Sequence, residues 1–483
     1  MNEDTRNTSV GTSVGPSGWT RRDLLRRAGA AGLLIPTGSF LAACATGGGG
    51  NDTGSSNKGA QQSAKNPFGL AKNSSIDAVI FNGGYGYDYV KFAAKEVEKK
   101  FSVNAKVRPS TKIAQQLQPR FVGGTPPDLI DNSGANAIGF SSIVKQIETL
   151  DDVFEANNYE GTKIADTLYP NVKDPGVYNG QFKAMNYAMT VYAVWYSKTL
   201  FDDNGWTPPK TWDEAIDLGA KAKAKGKYLW VWGKEAATYY HNLAVDSAIK
   251  EGGPEVRLAL GNLKPKCWSQ PVVQKVFEAL ETCVKKGYFI PGGAGTQFTD
   301  AQAKWSNDEQ AILYPSGSWI ENEMKKATKK NFQMTGVPGM TLTDHPAMPY
   351  ETLQSGAGEP FIVPSQGKNP AGGKEIMRAM LSKDAAANFS KTRHSPTIVK
   401  GTVPPDGFGS TALKSTIDML DAAGDNVFSY RYIRDYYGVD TDQLTVWNAF
   451  LSGKIDVGQL TKALQDITDK VRNDSSVKKI KVT

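Results

Sequence analysis

The chain has 483 residues, with 56 Lys and Arg against 49 Asp and Glu, a formal charge of +7, and 40% hydrophobic side chains. A chain of this length exceeds what one hydrophobic core usually holds, so two lobes are expected. The positive charge is spread without a basic block, which argues against a nucleic-acid-binding protein, and no segment approaches the ~18 consecutive apolar residues of a membrane span.

Thr20–Arg27 reads TRRDLLRR, Ala28–Ala43 is a mildly apolar stretch rich in Ala and Gly, and Leu41–Cys44 reads LAAC. The paired Arg21 and Arg22, followed by Leu24 and Leu25, resemble a twin-arginine export signal. LAAC resembles a lipobox, whose Cys44 is acylated and becomes the mature N-terminus. The apolar stretch is too short and too weak to cross a ~30 Å bilayer on its own. Acyl chains contribute ~0.8 kcal/mol per buried CH₂, enough for several chains to anchor a protein stably. Residues 1–43 are therefore expected to be a removed signal, leaving a charge of +5. The product is expected on the extracellular face of the membrane. Residues 45–73 are mostly small and polar, with Phe68 and Leu70 the only large apolar side chains, and read as a disordered tether. Residues 44–74 are thus assigned to the acylated cysteine and its flexible tether.

Ile76–Phe81 reads as a strand, Asn82–Asp88 (NGGYGYD) as a loop and Tyr89–Phe101 as a helix. Asn104–Arg108 is a second strand, Thr111–Phe121 a helix and Leu129–Ile130 a third strand. This alternation predicts an α/β lobe with a mostly parallel sheet, whose ligands bind beyond the carboxyl ends of the strands. Tyr187–Tyr196 is a long β-rich run. Thr211 and Glu214 form a capping box before a helix. Tyr228–Trp232 (YLWVW) reads as a strand and Pro271–Lys286 as a helix. Cys267 and Cys283 could remain thiols or form a bridge. Placing Cys283 ~18 Å along that helix, with Cys267 just before its start, favours two buried thiols. Ala311–Tyr314 and Phe361–Pro364 read as strands. Ala371–Leu381, Tyr430–Tyr437, Leu444–Leu451 and Val457–Arg472 read as helices. No internal repeat of 20–50 residues is present.

The block GQFKAMNYA…VWYSKTLFDDNGW-TPPKTWDEA resembles the middle of extracellular solute-binding proteins of sugar ABC importers. So do NDEQAILYPSGSW, RHSPTIVKG (Arg393–Gly401) and the C-terminal LSGKIDVGQLTKALQDITDKV. The resemblance covers Ile76–Val471. Signal, tether and length look most like the actinomycete lipoproteins that bind N-acetylglucosamine and N,N′-diacetylchitobiose. Ser197 departs from the Asn often found there. The resemblance implies a two-lobed clamp, with mostly parallel sheets flanked by helices and a ligand cleft between the lobes. One lobe is expected from 75–190 plus 319–364 and the other from 191–318 plus 365–483. Hinges are expected near Thr190–Trp195, Ser316–Ser318 and Ile362–Ser365. The implied partners are a neutral sugar, two permease subunits and a separate cytoplasmic ATPase, with the chain itself a monomer.

A sugar presents flat C–H faces and a rim of hydroxyls, so its site needs aromatic plates and a few polar groups. Tyr85 and Tyr87 in the first glycine-rich loop, and Asn132 and Ser133 after the third strand, are candidates by position. Trp232 ends YLWVW, and either it faces the cleft or it joins Trp230 in the core. By the resemblance, Glu235 and Tyr239 correspond roughly to sugar contacts in maltose-binding relatives. Trp319, at a helix start beside a hinge, and Arg393 complete the set; each also has an ordinary packing or surface role open to it. The three histidines, His241, His345 and His394, lack metal-ligand spacing. Neither a complete dinucleotide fingerprint nor a Walker A motif is present, so no metal and no cofactor is expected. The first reading is therefore a non-enzymatic sugar-binding lipoprotein. The alternatives are a surface glycoside hydrolase or lytic enzyme acting on chitin or wall glycan, and an adhesin or sensor accessory built on the same clamp.

Overall fold

The computed structural model describes residues 60–134, 137–169, 172–430 and 436–482. The export signal and Cys44 lie outside these residues, as does most of the helix expected over Tyr430–Tyr437.

The body starts earlier than expected. Asn66 donates from Nδ2 to the Leu70 carbonyl (3.0 Å) and accepts at Oδ1 from the Leu70 N–H (2.8 Å). This turn delivers Phe68 and Leu70 into the first core. The second half of the expected tether is therefore part of the fold, because its two large apolar side chains have a core to enter.

Strand β1 (Ser75–Phe81) sends Ile76, Ala78 and Ile80 to one face and Val79 to the other, and both faces are covered. Helix α1 (Asp88–Phe101) buries Tyr89, Val90, Ala93, Ala94, Val97 and Phe101, a 3.6-residue stripe laid on that sheet. Strands β2 (Asn104–Ser110) and β3 (Leu129–Asp131) flank β1 in parallel. Then comes β4 (Met185–Ser197), thirteen residues long and ~43 Å at a strand's rise.

Past β4, helix α2 (Trp212–Ala224) starts at the expected capping box. Thr211 accepts from the Glu214 N–H (3.2 Å), and Glu214 accepts from the Thr211 N–H (3.4 Å). Tyr228–Trp232 is not a regular strand. It is extended and makes single parallel bridges, Tyr228 to Ala311 and Trp230 to Phe289. Helix α3 (Thr238–Gly252) is buried along almost its whole length, and α4 (Pro271–Lys285) packs beside it. Cys267 and Cys283 are separate buried thiols, and burial pushes both up to about 12.

Strand β5 (Leu313–Gly317) leads into the short helix α5 (Ile320–Met324), followed by β6 (Met334–Val337), β7 (Leu353–Ile362), α6 (Pro370–Met380), α7 (Lys383–Arg393) and the two-residue β8 (Val427–Phe428). The sheet order is β2-β1-β3-β7-β4-β5, with β8 beside β7 and β6 beside β4. Only β2-β1-β3 and β7-β8 are parallel; β3–β7, β4–β7, β4–β5 and β4–β6 are antiparallel. The sheet is mixed rather than mostly parallel, because β4 and β7 run back and forth between the two halves.

One core gathers β1, α1, the start of β4, α6 and α7. The second gathers the end of β4, α2, α3, α4 and the C-terminal helices. A third cluster, with Val191, Trp195, Tyr314, Ile320 and Met419, lies along the end of β4 and β5. Packing therefore divides the chain differently from the sequence expectation. Residues 370–399 pack with the first half, and α5 and β6 with the second. Strand β4 changes partner at Val191–Tyr192, from β7 to β5, so one strand is shared by the two halves. Ile362 pairs with Ile130 inside the first half and is no crossing.

Candidate ligand-binding site

The loop after β1 turns at Gly86, whose φ of 64° suits glycine. Tyr85 is thereby directed inward: its hydroxyl is 2.9 Å from Ser395 Oγ and its ring 5.1 Å from Phe389. Burial pushes the phenol pKa up, so Tyr85 offers a neutral hydroxyl. Tyr87 stays at the rim, with Lys91 Nζ 4.0 Å above its ring. Arg393 at the end of α7 reaches under the same loop, its Nη2 3.6 Å from Asp88 Oδ2 and its Nε buried without a partner.

Trp319 sits where β5 turns into α5 and is 9% exposed. Its benzo ring lies on Gly317, where a Cβ would come within 2.0 Å of it, and its pyrrole corner meets Gly84, where a Cβ would come within 3.0 Å. Tyr192 and Tyr239 stand edge-on to the indole at 5.6 and 5.9 Å. Asn322 on α5 donates from Nδ2 to the Gly84 carbonyl. Loop 82–87 of the first half thus closes over an aromatic box where the halves meet: Tyr239 comes from α3, Tyr192 from the shared strand β4, and Trp319 packs into the first core. Beneath the box, Tyr192, Tyr239, Asn242, Asp246, Ser316 and Gly339 line a narrow crevice of about 10 Å³, room for about one water-sized group and partly open to solvent.

Tyr85, Tyr239, Trp319 and Arg393 are brought together here. Asn132 lies nearby, but both ends of its amide are occupied: Nδ2 donates to the Ile138 carbonyl and Oδ1 accepts from the Ile138 N–H, each at 2.8 Å. It closes the loop after β3. Ser133 donates to Asp131 Oδ1. Burial, and then the charge of Glu359, hold the Asp131 carboxyl well above the usual carboxylate range. Trp232 lies in the second core, its ring on Gly293, 5.7 Å from Phe289, and its Nε1 donating to Asn448 Oδ1 (3.3 Å). Glu235 accepts from the Phe298 N–H (3.1 Å) at the start of the helix Phe298–Ser306. Neither of these two reaches the aromatic box. Among the described residues, no group of three His, Cys, Asp or Glu side chains could hold a metal ion.

Sequence reading missed Tyr192, Asn242, Asp246 and Ser316. The signal was present in α3: Tyr239, Asn242, Asp246 and Lys250, spaced by three, four and four residues, draw a polar line down a helix that is otherwise apolar on most sides.

The family model of the bacterial extracellular solute-binding proteins matches residues 82–387. The chain belongs to this family. It is 62% identical, over 96% of its own length and 98% of the relative's, to the diacetylchitobiose binding protein NgcE of Streptomyces coelicolor. Among solved structures, its fold is like that of the solute-binding protein RafE in complex with raffinose, with a TM-score of 0.65 at 18% identity over 82% of this chain and 99% of that one. A chitin oligosaccharide binding protein gives 0.64 at 15% identity over 82% and 99%. Solute-binding proteins of this fold are two-lobed clamps, and the aromatic box lies on the strand that the two halves of this one share.

Proposed function

We propose that this solute-binding protein captures N-acetylglucosamine, chitobiose or short chito-oligosaccharides and delivers them to the permease of an ABC importer. The observation that carries the reading is the 62% identity to a diacetylchitobiose binding protein across nearly the whole of both chains. The box of Tyr192, Tyr239 and Trp319 supports it, because a sugar's C–H face needs such side chains. The protein binds without hydrolysing and uses no cofactor. Two permease subunits and a separate ATPase are its partners, and it acts as a monomer. Twin-arginine export and acylation of Cys44 place it on the outer face of the membrane.

Calorimetry of the mature protein against N-acetylglucosamine, chitobiose, cellobiose and maltose tests the ligand. Saturable binding of the N-acetylated sugars alone is expected, and its absence overturns the reading. Incubation with chitobiose tests the non-enzymatic part: sustained release of N-acetylglucosamine beyond one equivalent would refute it. Cys44→Ala should shed the protein from membranes, and a variant retained as firmly as the parent removes the anchor.

A further inference from the structure

The crevice below the aromatic box holds a buried acid, steadied by the charge of Lys250 and the Gln354 backbone N–H, that still leaves one oxygen unpaired. Asp246 is 3% exposed on α3. Its Oδ2 lies against Gly339, where a Cβ would come within 2.1 Å and would force the carboxylate to shift. Its Oδ1 is buried without a hydrogen-bond partner. Lys250, one turn further along α3, does not take that oxygen. Its Nζ donates to the Gly339 carbonyl at 2.5 Å and stands 4.9 Å from the Tyr350 ring. Across the crevice, Ser316 Oγ on strand β5 is likewise buried without a partner. A buried polar atom left unpaired forfeits its hydration without recompense, the more so if charged. Two such atoms lining one crevice are costs that a bound ligand can relieve.

We infer that this crevice is the polar floor of the sugar cleft, and that Asp246 selects neutral ligands carrying a hydrogen-bond donor there, the N–H of an acetamido group or a ring hydroxyl. The inference rests on the proposed sugar-binding function and deepens it. Tyr192 and Tyr239 belong both to the aromatic box and to the crevice walls, so a ring held by the box places its substituents over Asp246 Oδ1 and Ser316 Oγ. The crevice is far smaller than the ~300–1,000 Å³ of a whole ligand pocket and has room for about one water-sized group, which suits a single polar substituent reaching down from a ring held by the box. A site built to pair a donor rejects analogues that lack it far more strongly than an apolar pocket rejects a missing methylene. An anionic sugar is repelled by the same carboxylate.

Burial raises the Asp246 carboxyl to about 6, against the opposing influence of Lys250. The titratable groups facing it are Lys250 on its own helix, Tyr350 and Glu351 from the segment before β7, and the phenols of Tyr192 and Tyr239. A ligand donor favours the ionised form, so binding expels a proton near pH 6, and affinity falls as pH drops through that value.

The test is calorimetry on the mature wild type, Asp246→Asn and Ser316→Ala at pH 7.5 and 5.0, with melting temperatures recorded on each. Chitobiose, N-acetylglucosamine, glucose and 2-deoxyglucose separate an acetamido donor from a hydroxyl. Asp246→Asn should weaken the best ligand by about ten- to a hundredfold at pH 7.5 and abolish the pH dependence. Ser316→Ala should weaken it several-fold. Asp246→Asn affinity within twofold of wild type, with a parallel pH profile, overturns the inference while the wild type's binding upholds the sugar reading. If the wild type takes another neutral sugar instead, the ligand reading fails and the same comparison on that sugar judges Asp246. Should Asp246→Asn not fold, a wild-type affinity that is flat between the two pH values overturns the assignment.

Discussion

Trp319 owes its position to two glycines. Gly317 accepts the indole on its Cα, and Gly84 lets the first-half loop settle on its edge. The two flanking tyrosines fix the ring's tilt. A buried aromatic contact with a ligand is typically worth ≥ ~2 kcal/mol on truncation, so Trp319→Ala is expected to weaken sugar affinity by one to two orders of magnitude while the protein still folds. Calorimetry and melting on the same variant separate this from a purely structural role, in which melting falls and affinity holds. One turn beyond Trp319, Glu323 accepts from Gln302 Nε2 (2.7 Å), and burial raises its carboxyl to about 7. A folded-state pKa above the unfolded value means that the stability tied to this group is full below about pH 4.5. It is lost as pH rises through about 7. Glu323→Gln keeps the hydrogen bond without the charge. It should melt higher than wild type at pH 8, by an amount that shrinks toward pH 4.5; equal melting at both pH values would show that burial does not penalise the charge.

Strand β4 joins the two cores in one uninterrupted run and exchanges partners at Val191–Tyr192, while β7 crosses beside it. Helix α6 does a different job. Its Glu375 and Arg378 form a buried pair (3.0 Å), with Tyr159 donating to Glu375 Oε1 (2.9 Å) and Arg378 Nε donating to the Asn157 carbonyl (2.6 Å). Arg378 also reaches the Lys65 carbonyl at 3.4 Å, which ties the residues before β1 to the body. Removing one partner of a buried pair strands the other, at about 3–5 kcal/mol. Arg378→Met should therefore lose about that much in denaturant titration, and adding Glu375→Leu should recover a large part. A single-variant loss below 1 kcal/mol would mean that the pair is structurally idle.

The legible parts of the fold were those written locally. The apolar alternation of Tyr187–Tyr196, the Thr211 capping box and the stripe of α1 each need only a few neighbouring residues to be read. Which half α6 joins depends on the return path of β7, which no local pattern encodes. For Trp232, at the end of an apolar run, cleft and core were equally open in the sequence; only the closeness of Gly293 shows its ring to be enclosed. Asn132 has the chemistry of a ligand contact, yet a backbone six residues away consumes both ends of its amide. The polar line of α3 was readable, but a helix buried on nearly all sides offers no exposed face against which to notice it.

At the scale of the whole molecule, the first half meets the second through few polar contacts beside the aromatic box. Asn322 on α5 holds the Gly84 carbonyl, and Glu321 Oε1 lies 3.1 Å from His394 Nδ1 at the end of α7. Both join α5, which belongs to the second half, to segments of the first. A ligand between the halves favours the closed clamp by its differential affinity for the two states, and its apparent affinity scales with the closed fraction. Asn322→Ala removes one closing hydrogen bond, worth about 0.5–1.5 kcal/mol, and leaves the crevice lining intact. Its sugar affinity should fall by about two- to tenfold. The radius of gyration from small-angle scattering should be larger than wild type without ligand and equal to it at saturation. If the ligand-free radius is unchanged while affinity falls, Asn322 acts on the sugar or on Trp319 directly, and the contact with Gly84 is not what sets the closed fraction.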